Sequence, residues 1–423
     1  MVECQLPKLN VVGSSPISRS IFLRASGEAG SWLMKAPSLI FIALLAVGSG
    51  TATAIDEHPV YVSGQGGYHT YRIPALVRTN AGTLLAFCEG RKKSSSDTGD
   101  IDLLVRRSAD GGATWGPQIV VWDDAGNTCG NPAPVVDTAT GTIHLLSTWN
   151  LGSDAESKII QGTSKDTRRV FALASTDDGL NWSTAKEITA TAKQPDWAWY
   201  ATGPGAGIRL SRGAQAGRLI VACDHILAGK KSFGSHVLYS DDHGGSWRIG
   251  AVAVSNATVH PNENLAVELV PPAPGGGSRV YFNARDHQGK VHRAQAFSED
   301  GGTTYTPAEF ADAPAFTTPT VQGGLARFRT TDAGDPGNRI LFSCPNGGSR
   351  NRMSIWSSTD EARTWSEPKL VYEGPSAYSD MTRLTDGRMG LLFEKGVTSP
   401  YESIVLVRFD EAWLDTPAPA PIP

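Results

Sequence analysis

Ser108-Ala109-Asp110-Gly111-Gly112-Ala113-Thr114-Trp115 is the stretch on which the reading of this chain turns. Its pattern, S-x-D-x-G-x-T-W, returns four times. The copies are STDDGLNW from Ser175, SDDHGGSW from Ser240, SEDGGTTY from Ser298 and STDEARTW from Ser358, with Ala362 in the glycine's place. Successive copies start 67, 65, 58 and 60 residues apart. A recurrence of that period marks a repeat architecture. A Ser and an Asp two residues apart can hold backbone N–H groups across a tight turn. The Gly permits a positive φ, and the closing aromatic can fold back onto an apolar surface. A strand-like run precedes every copy, such as Asp102-Leu103-Leu104-Val105 and His236-Val237-Leu238-Tyr239. Each copy therefore reads as the turn of an antiparallel hairpin.

Outward from these turns the chain is short strands and little else. Ala75 to Arg78, Thr83 to Phe87, Ile101 to Arg107 and Ile119 to Trp122 surround the first turn. Four strands with one such turn make a propeller blade. The expected fold is all-β, a six-bladed β-propeller of four-stranded antiparallel blades. The last blade has no repeat turn. It is expected from Met381 to Leu384, Met389 to Phe393 and Ile404 to Val407, plus a strand between Val60 and Val77 that closes the ring. Closure leaves no long open sheet edge. Residues 123–131, 151–166 and 189–204 read as rim loops.

The chain has 423 residues with a formal net charge of −4, so no basic surface points to nucleic acid. Met34-Lys35, the apolar run from Leu39 to Val47 and Ala52-Thr53-Ala54 read as a secretory signal. That apolar run is short for a bilayer span, so no stable membrane insertion is expected. The expected divisions are a doubtful extension over 1–33, a signal over 34–54, the propeller over 55–412 and a Pro-rich disordered tail over 413–423. A monomer, secreted or periplasmic, is expected. Cys88, Cys129, Cys223 and Cys344 match no metal or disulfide framework; they read as buried thiols. No metal and no cofactor are expected.

Three arginines occupy similar places near strand ends: Arg72 in Tyr-Arg-Ile-Pro, Arg285 in Asn-Ala-Arg and Arg350 in Gly-Ser-Arg-Asn-Arg. Guanidinium forks suit a carboxylate. Spacing alone favours three separate surface ion pairs. Taken together, however, Tyr71-Arg72-Ile73-Pro74, the five turns and Asn283-Ala284-Arg285 make the chain resemble an exo-sialidase of the bacterial and animal type, over about residues 60 to 410.

The resemblance implies an arginine triad of Arg72, Arg285 and Arg350, with Arg352 competing for the third place. It implies Asp97 as general acid, with Asp100 and Asp102 as competitors. Tyr378 would be the nucleophile and Glu263 its base, with Glu268 as the alternative. Glu394 would orient Arg72, and Arg91 would line the substrate rim. The substrates implied are sialylated glycoconjugates. A tyrosine nucleophile in sialidases is the recognised exception to the two-carboxylate rule of glycosidases. Its logic is that a neutral phenol is not repelled by the carboxylate on the sugar's anomeric carbon. A sugar-binding propeller without catalysis and a trans-sialidase are the competing readings.

Overall fold

The structure is a computed structural model that describes residues 55–229, 232–271, 276–289 and 291–417. The doubtful extension and the signal lie outside the described residues. Strand is the dominant regular structure of the described chain, with only short helices beside it, and consecutive strands pair antiparallel. Thr70–Arg78, Leu84–Arg91, Ile101–Ser108 and Ile119–Trp122 pair in that order. Thr128–Val136, Ile143–Asn150, Arg169–Ser175 and Lys186–Glu187 follow. The next set is Trp197–Thr202 with Ile208–Arg209, then Leu219–Leu227, Phe233–Ser240 and Arg248–Val254. Pro261–Glu268, Val280–Asp286, Arg293–Ser298 and Ala311–Ala313 come after it.

Gly324–Arg329, Arg339–Pro345 and Asn351–Ser358 lead into the long strand Lys369–Arg383. That strand serves twice. Its first part pairs with Asn351–Ser358 and its second with Met389–Lys395. Ser403–Phe409 comes next, and Asp56–Val62 pairs with its free edge. The two ends of the described chain are thus hydrogen-bonded to each other.

Burial explains why the first two strands of a set read as nearly continuous apolar runs. All of Thr70 to Val77 and all of Leu84–Arg91 are buried, because sheets pack against both faces. The outermost strands are half exposed, as in Arg248–Val254. The core consists of layers between neighbouring sheets. In one layer Leu76, Leu84 and Leu104 meet Leu392, Ile404 and Leu406. In another, Leu85, Phe87 and Val105 meet Ile143, Leu145 and Leu173.

The repeat turns share one hydrogen-bond pattern. Ser108 Oγ donates to Asp110 at 2.7 Å and accepts from the Gly112 N–H at 2.8 Å, while Asp110 accepts from the Thr114 N–H at 2.9 Å. The turn from Ser358 repeats all three contacts without its glycine, because Ala362 itself takes φ +64°. Gly112 sits at φ +88°, and a Cβ there would meet Leu406 Cδ2 at 2.1 Å.

Several expectations needed correction. The strand that joins the last set is Asp56–Val62, and Thr70–Arg78 instead begins the first set. The stretch 189–204, read as a loop, contains the fully buried strand Trp197–Thr202. Its aromatic run carries the β signal, but Pro204 without an N–H cuts it from Ile208–Arg209. The stretch 151–166 carries the helix Glu156–Gln161, and Thr128–Val136 begins inside 123–131. The Pro-rich tail begins later than 413. The helix Glu411–Asp415 is capped by Asp410, and the Trp413 ring lies 5.1 Å from Phe409. Cys88, Cys129, Cys223 and Cys344 are buried free thiols.

Gly112→Ala combines a left-handed residue with an overfilled contact and should cost about 2–4 kcal/mol of unfolding free energy. Ala362→Gly loses one methyl and relieves the same kind of strain, so it should stay within about 1 kcal/mol. Urea unfolding of both variants checks this.

Candidate active site

The candidate site is a cavity of about 320 Å³ at one end of the innermost strands. Four of those strands break their ladder at this level. Register shifts fall between Arg72 and Ala75, Gly130 and Ala133, Pro261 and Asn264, and Ser376 and Ser379. A bulge adds a residue and re-aims its side chain. The side chains so released include Arg72, Asn131, Asn262, Glu263 and Tyr378, and all five line the cavity. Ile73 and Asn131 hold positive φ of 61° and 53° inside two of these bulges.

Glu394, fully buried, organises the first wall. Its carboxylate accepts from Arg72 Nε at 2.9 Å and Nη2 at 3.2 Å, from the Ile73 N–H at 2.9 Å and from the Tyr378 N–H at 3.1 Å. The phenol of Tyr378 donates to Glu263 at 2.5 Å. Arg285 Nη1 donates to Glu263 at 2.7 Å and to the Tyr378 oxygen at 3.1 Å. Arg350 Nη1 donates to the Tyr401 hydroxyl at 2.6 Å, and its guanidinium lies 5.6 Å from the Tyr378 ring centre. Among the described residues Arg350 has no carboxylate partner.

Asp97 stands on an exposed loop at the mouth, 2.7 Å from Arg91 and 3.6 Å from Arg72. Arg91 is fixed by Glu89 at 2.6 Å, and Glu89 also accepts the Asn131 N–H at 2.9 Å.

These neighbours set the protonation states. Burial pushes the Tyr378 phenol well above its usual range, and Glu263 adds to this. Arg285, Arg72 and Arg350 oppose the shift without reversing it. Tyr378 is therefore a neutral phenol in the resting site. Burial raises Glu263, but Arg285, the Tyr378 hydrogen bond and Arg350 outweigh it and hold the carboxyl below its ordinary value. An ionised base thus faces a neutral hydroxyl. Asp97 is raised by its seat in the mouth and lowered more by Arg91 and Arg72, so it rests ionised. Arg72 and Arg285 are held further in the charged form by Glu394 and Glu263, despite burial.

The structure therefore brings together Arg72, Arg91, Asp97, Glu263, Arg285, Arg350, Tyr378 and Glu394. The three arginines are not separate surface ion pairs. The competitors lie elsewhere. Arg352 is exposed and pairs with Glu373 at 2.9 Å. Asp102 is tied to Tyr68 at 2.5 Å, and Lys92 bridges it to Asp100. Glu268 holds Ser211 and Arg212, outside this cavity.

Sequence reasoning missed the far wall. Asp224 is buried within the apolar strand Leu219–Leu227 and accepts from Asn262 Nδ2 at 3.0 Å. Burial, and then Glu263, raise its carboxyl well above the usual range. Arg168 stacks 3.8 Å from the Trp199 ring and donates to Asn131 at 2.8 Å. A lone carboxylate inside LIVACDHIL was the available signal for Asp224; Arg168 offered none. Among the described residues no group of three or more His, Cys, Asp or Glu is placed to hold a metal ion.

Residues 82–391 match the BNR repeat-like domain family. An exo-alpha-sialidase of Aspergillus fumigatus is 31% identical over 82% of this chain and 86% of its own length. This chain belongs to the sialidase family. A Micromonospora viridifaciens sialidase is 34% identical over 93% of this chain, which spans only 59% of that relative's length. Among solved structures, the Hadza microbial sialidase Hz136 matches with a TM-score of 0.71 at 28% identity, over 84% of this chain and 68% of that chain.

The ion pair at the mouth can be tested on this sialidase without substrate. Arg91→Gln removes the nearest cation from Asp97. The cation favours the ionised carboxyl, so without it the proton is retained to higher pH. The Asp97 carboxyl resonance, followed by carbon-detected NMR, should titrate at a higher pH in the variant than in the parent. An unchanged midpoint would show that Arg91 does not set it.

Proposed function

We propose that this sialidase is an exported exo-α-sialidase that hydrolyses terminal sialic acids of glycoproteins, glycolipids and oligosaccharides with retention of configuration. The carrying observation is the 2.5 Å hydrogen bond from the neutral Tyr378 phenol to the ionised Glu263, within a cavity lined by Arg72, Arg285 and Arg350. We also read the strand sets as a six-bladed propeller closed by Asp56–Val62. The likeness to the sialidase relatives supports the activity.

The substrate's carboxylate would sit among the three guanidiniums, with Arg350 free of any acid to compete. Its arrival offsets the field of Arg72 and Arg91, so Asp97 takes up a proton in the complex. Tyr378 then attacks the anomeric carbon and passes its proton to Glu263, while Asp97 protonates the departing glycosidic oxygen. The tyrosyl–sugar bond forms as the glycosidic bond breaks. In the second half Asp97 takes a proton from water, the water oxygen attacks the same carbon, and Tyr378 regains its proton from Glu263. Two inversions give retention. Proton transfer of this kind contributes about 10²–10⁴-fold, and the fixed guanidiniums stabilise the charge that develops.

Release of fluorophore from a fluorogenic sialoside tests the reading. Tyr378→Phe should lower kcat at least about 100-fold while still binding a sialic acid glycal. Full turnover by that variant would reassign the nucleophile, and no turnover by the parent chain would reject the activity.

A further inference from the structure

A second cavity, of about 530 Å³, opens between the outer strands of the first two sets. Its floor is aromatic. The Trp122 and Phe171 rings lie 4.8 Å apart, and Trp149 completes the surface. All three are half-buried, and Trp122 and Trp149 are packed on the core. Trp149 is pinned, because its indole N–H donates to Asp124 at 2.6 Å. Asp123 and Asp124 stand at the edge of this floor, and the Arg169 guanidinium lies over the Trp149 ring, 5.5 Å from its centre, which leaves Trp122 and Phe171 as the open stacking surface. Asp123 is held by the Ala125 N–H at 2.7 Å and by Lys92 at 3.3 Å.

We propose that this groove is a second carbohydrate site that takes a neutral pyranose of the galactose type. A pyranose has one face of C–H groups, which stacks on aromatic rings, and an edge of hydroxyls. Pinned aromatic rings bind at little entropic cost. Carboxylates accept from vicinal hydroxyls, and Arg169 can donate. Galactose, with its axial 4-hydroxyl, presents the most continuous C–H face among common hexoses. Acidic sugars are disfavoured: Asp123, Asp124, Asp166 and Glu187 surround the groove, and the latter two already engage Arg169 at 2.5 and 3.5 Å.

The groove is linked to the candidate active site through neighbouring residues. Trp149 pairs across the ladder with Cys129, two residues before the cavity-lining Asn131. Lys92 follows Arg91 in the chain and binds Asp123, Asp100 and Asp102. Under this proposal, a glycan whose acidic end occupies the first cavity places a neutral sugar in the groove.

Lactose titrated calorimetrically into the full chain tests the binding, and this arm needs no turnover. Saturable binding in the millimolar range is expected. It should survive Tyr378→Phe and saturation of the first cavity by a sialic acid glycal. It should be lost in Trp122→Ala and in Thr184→Trp, which fills the groove without removing core. The kinetic arm rests on the proposed activity. In both groove variants KM on a sialylated glycoprotein should rise about tenfold, the equivalent of 1.4 kcal/mol, with KM and kcat on a small fluorogenic sialoside unchanged. No lactose binding, binding that persists in both variants, displacement by the glycal, or equal losses on both substrates would each overturn the proposal. A parent chain inactive on the small sialoside would reject the activity and leave the calorimetric result to decide the groove.

Discussion

The buried carboxylate of Glu394 is the contact on which the site's geometry rests. It accepts from Arg72 and Ile73, near the start of the described chain, and from Tyr378, near its end. A carboxylate with no exposed surface is tolerable only when its oxygens are fully engaged. Here the partners are one guanidinium and two backbone N–H groups freed by bulges in neighbouring strands. The same contact that satisfies the charge therefore aims Arg72 and Tyr378 at one cavity. It acts together with the pairing of Asp56–Val62 and Ser403–Phe409, which brings these distant segments side by side.

The remaining charges follow one pattern. Arg72 is matched by Glu394, Arg285 by Glu263 and Arg91 by Glu89, so each of these cations is held by an acid. Arg350 has only a phenol and a carbonyl as partners. A cavity with three acid-matched guanidiniums, and a fourth with no acid partner among the described residues, is poised for a single carboxylate. The same field keeps Glu263 ionised, while burial keeps Tyr378 neutral. These two opposite shifts divide base from nucleophile at one hydrogen bond.

The bulges show why a rigid scaffold matters here. An unbroken ladder would turn alternate side chains into the layers between sheets. One added residue in each of four strands turns Arg72, Asn131, Glu263 and Tyr378 toward one cavity instead. The strain of Ile73 and Asn131 at positive φ is held there by hydrogen bonds from their own N–H groups to Glu394 and Glu89.

The all-β class, the five turns and most strands were legible because each depends on a few neighbouring residues. Ser, Asp and Thr at fixed offsets close a turn whatever surrounds it, and even Ala362 did not break the pattern. The buried thiols were legible from the apolar runs around them, and the residues that line the cavity were singled out from short motifs. The position of the closing strand, the buried strand Trp197–Thr202, and the roles of Asp224 and Arg168 were not. Those depend on which segments pack together across the chain. Convergence of the three arginines belongs to the same class: local spacing favoured separate ion pairs, and only the closed set of strands with their bulges placed the guanidiniums around one space. Short-range chemistry was therefore written in the chain's order, while long-range electrostatics appeared only once folding had removed the charges from water and set their distances.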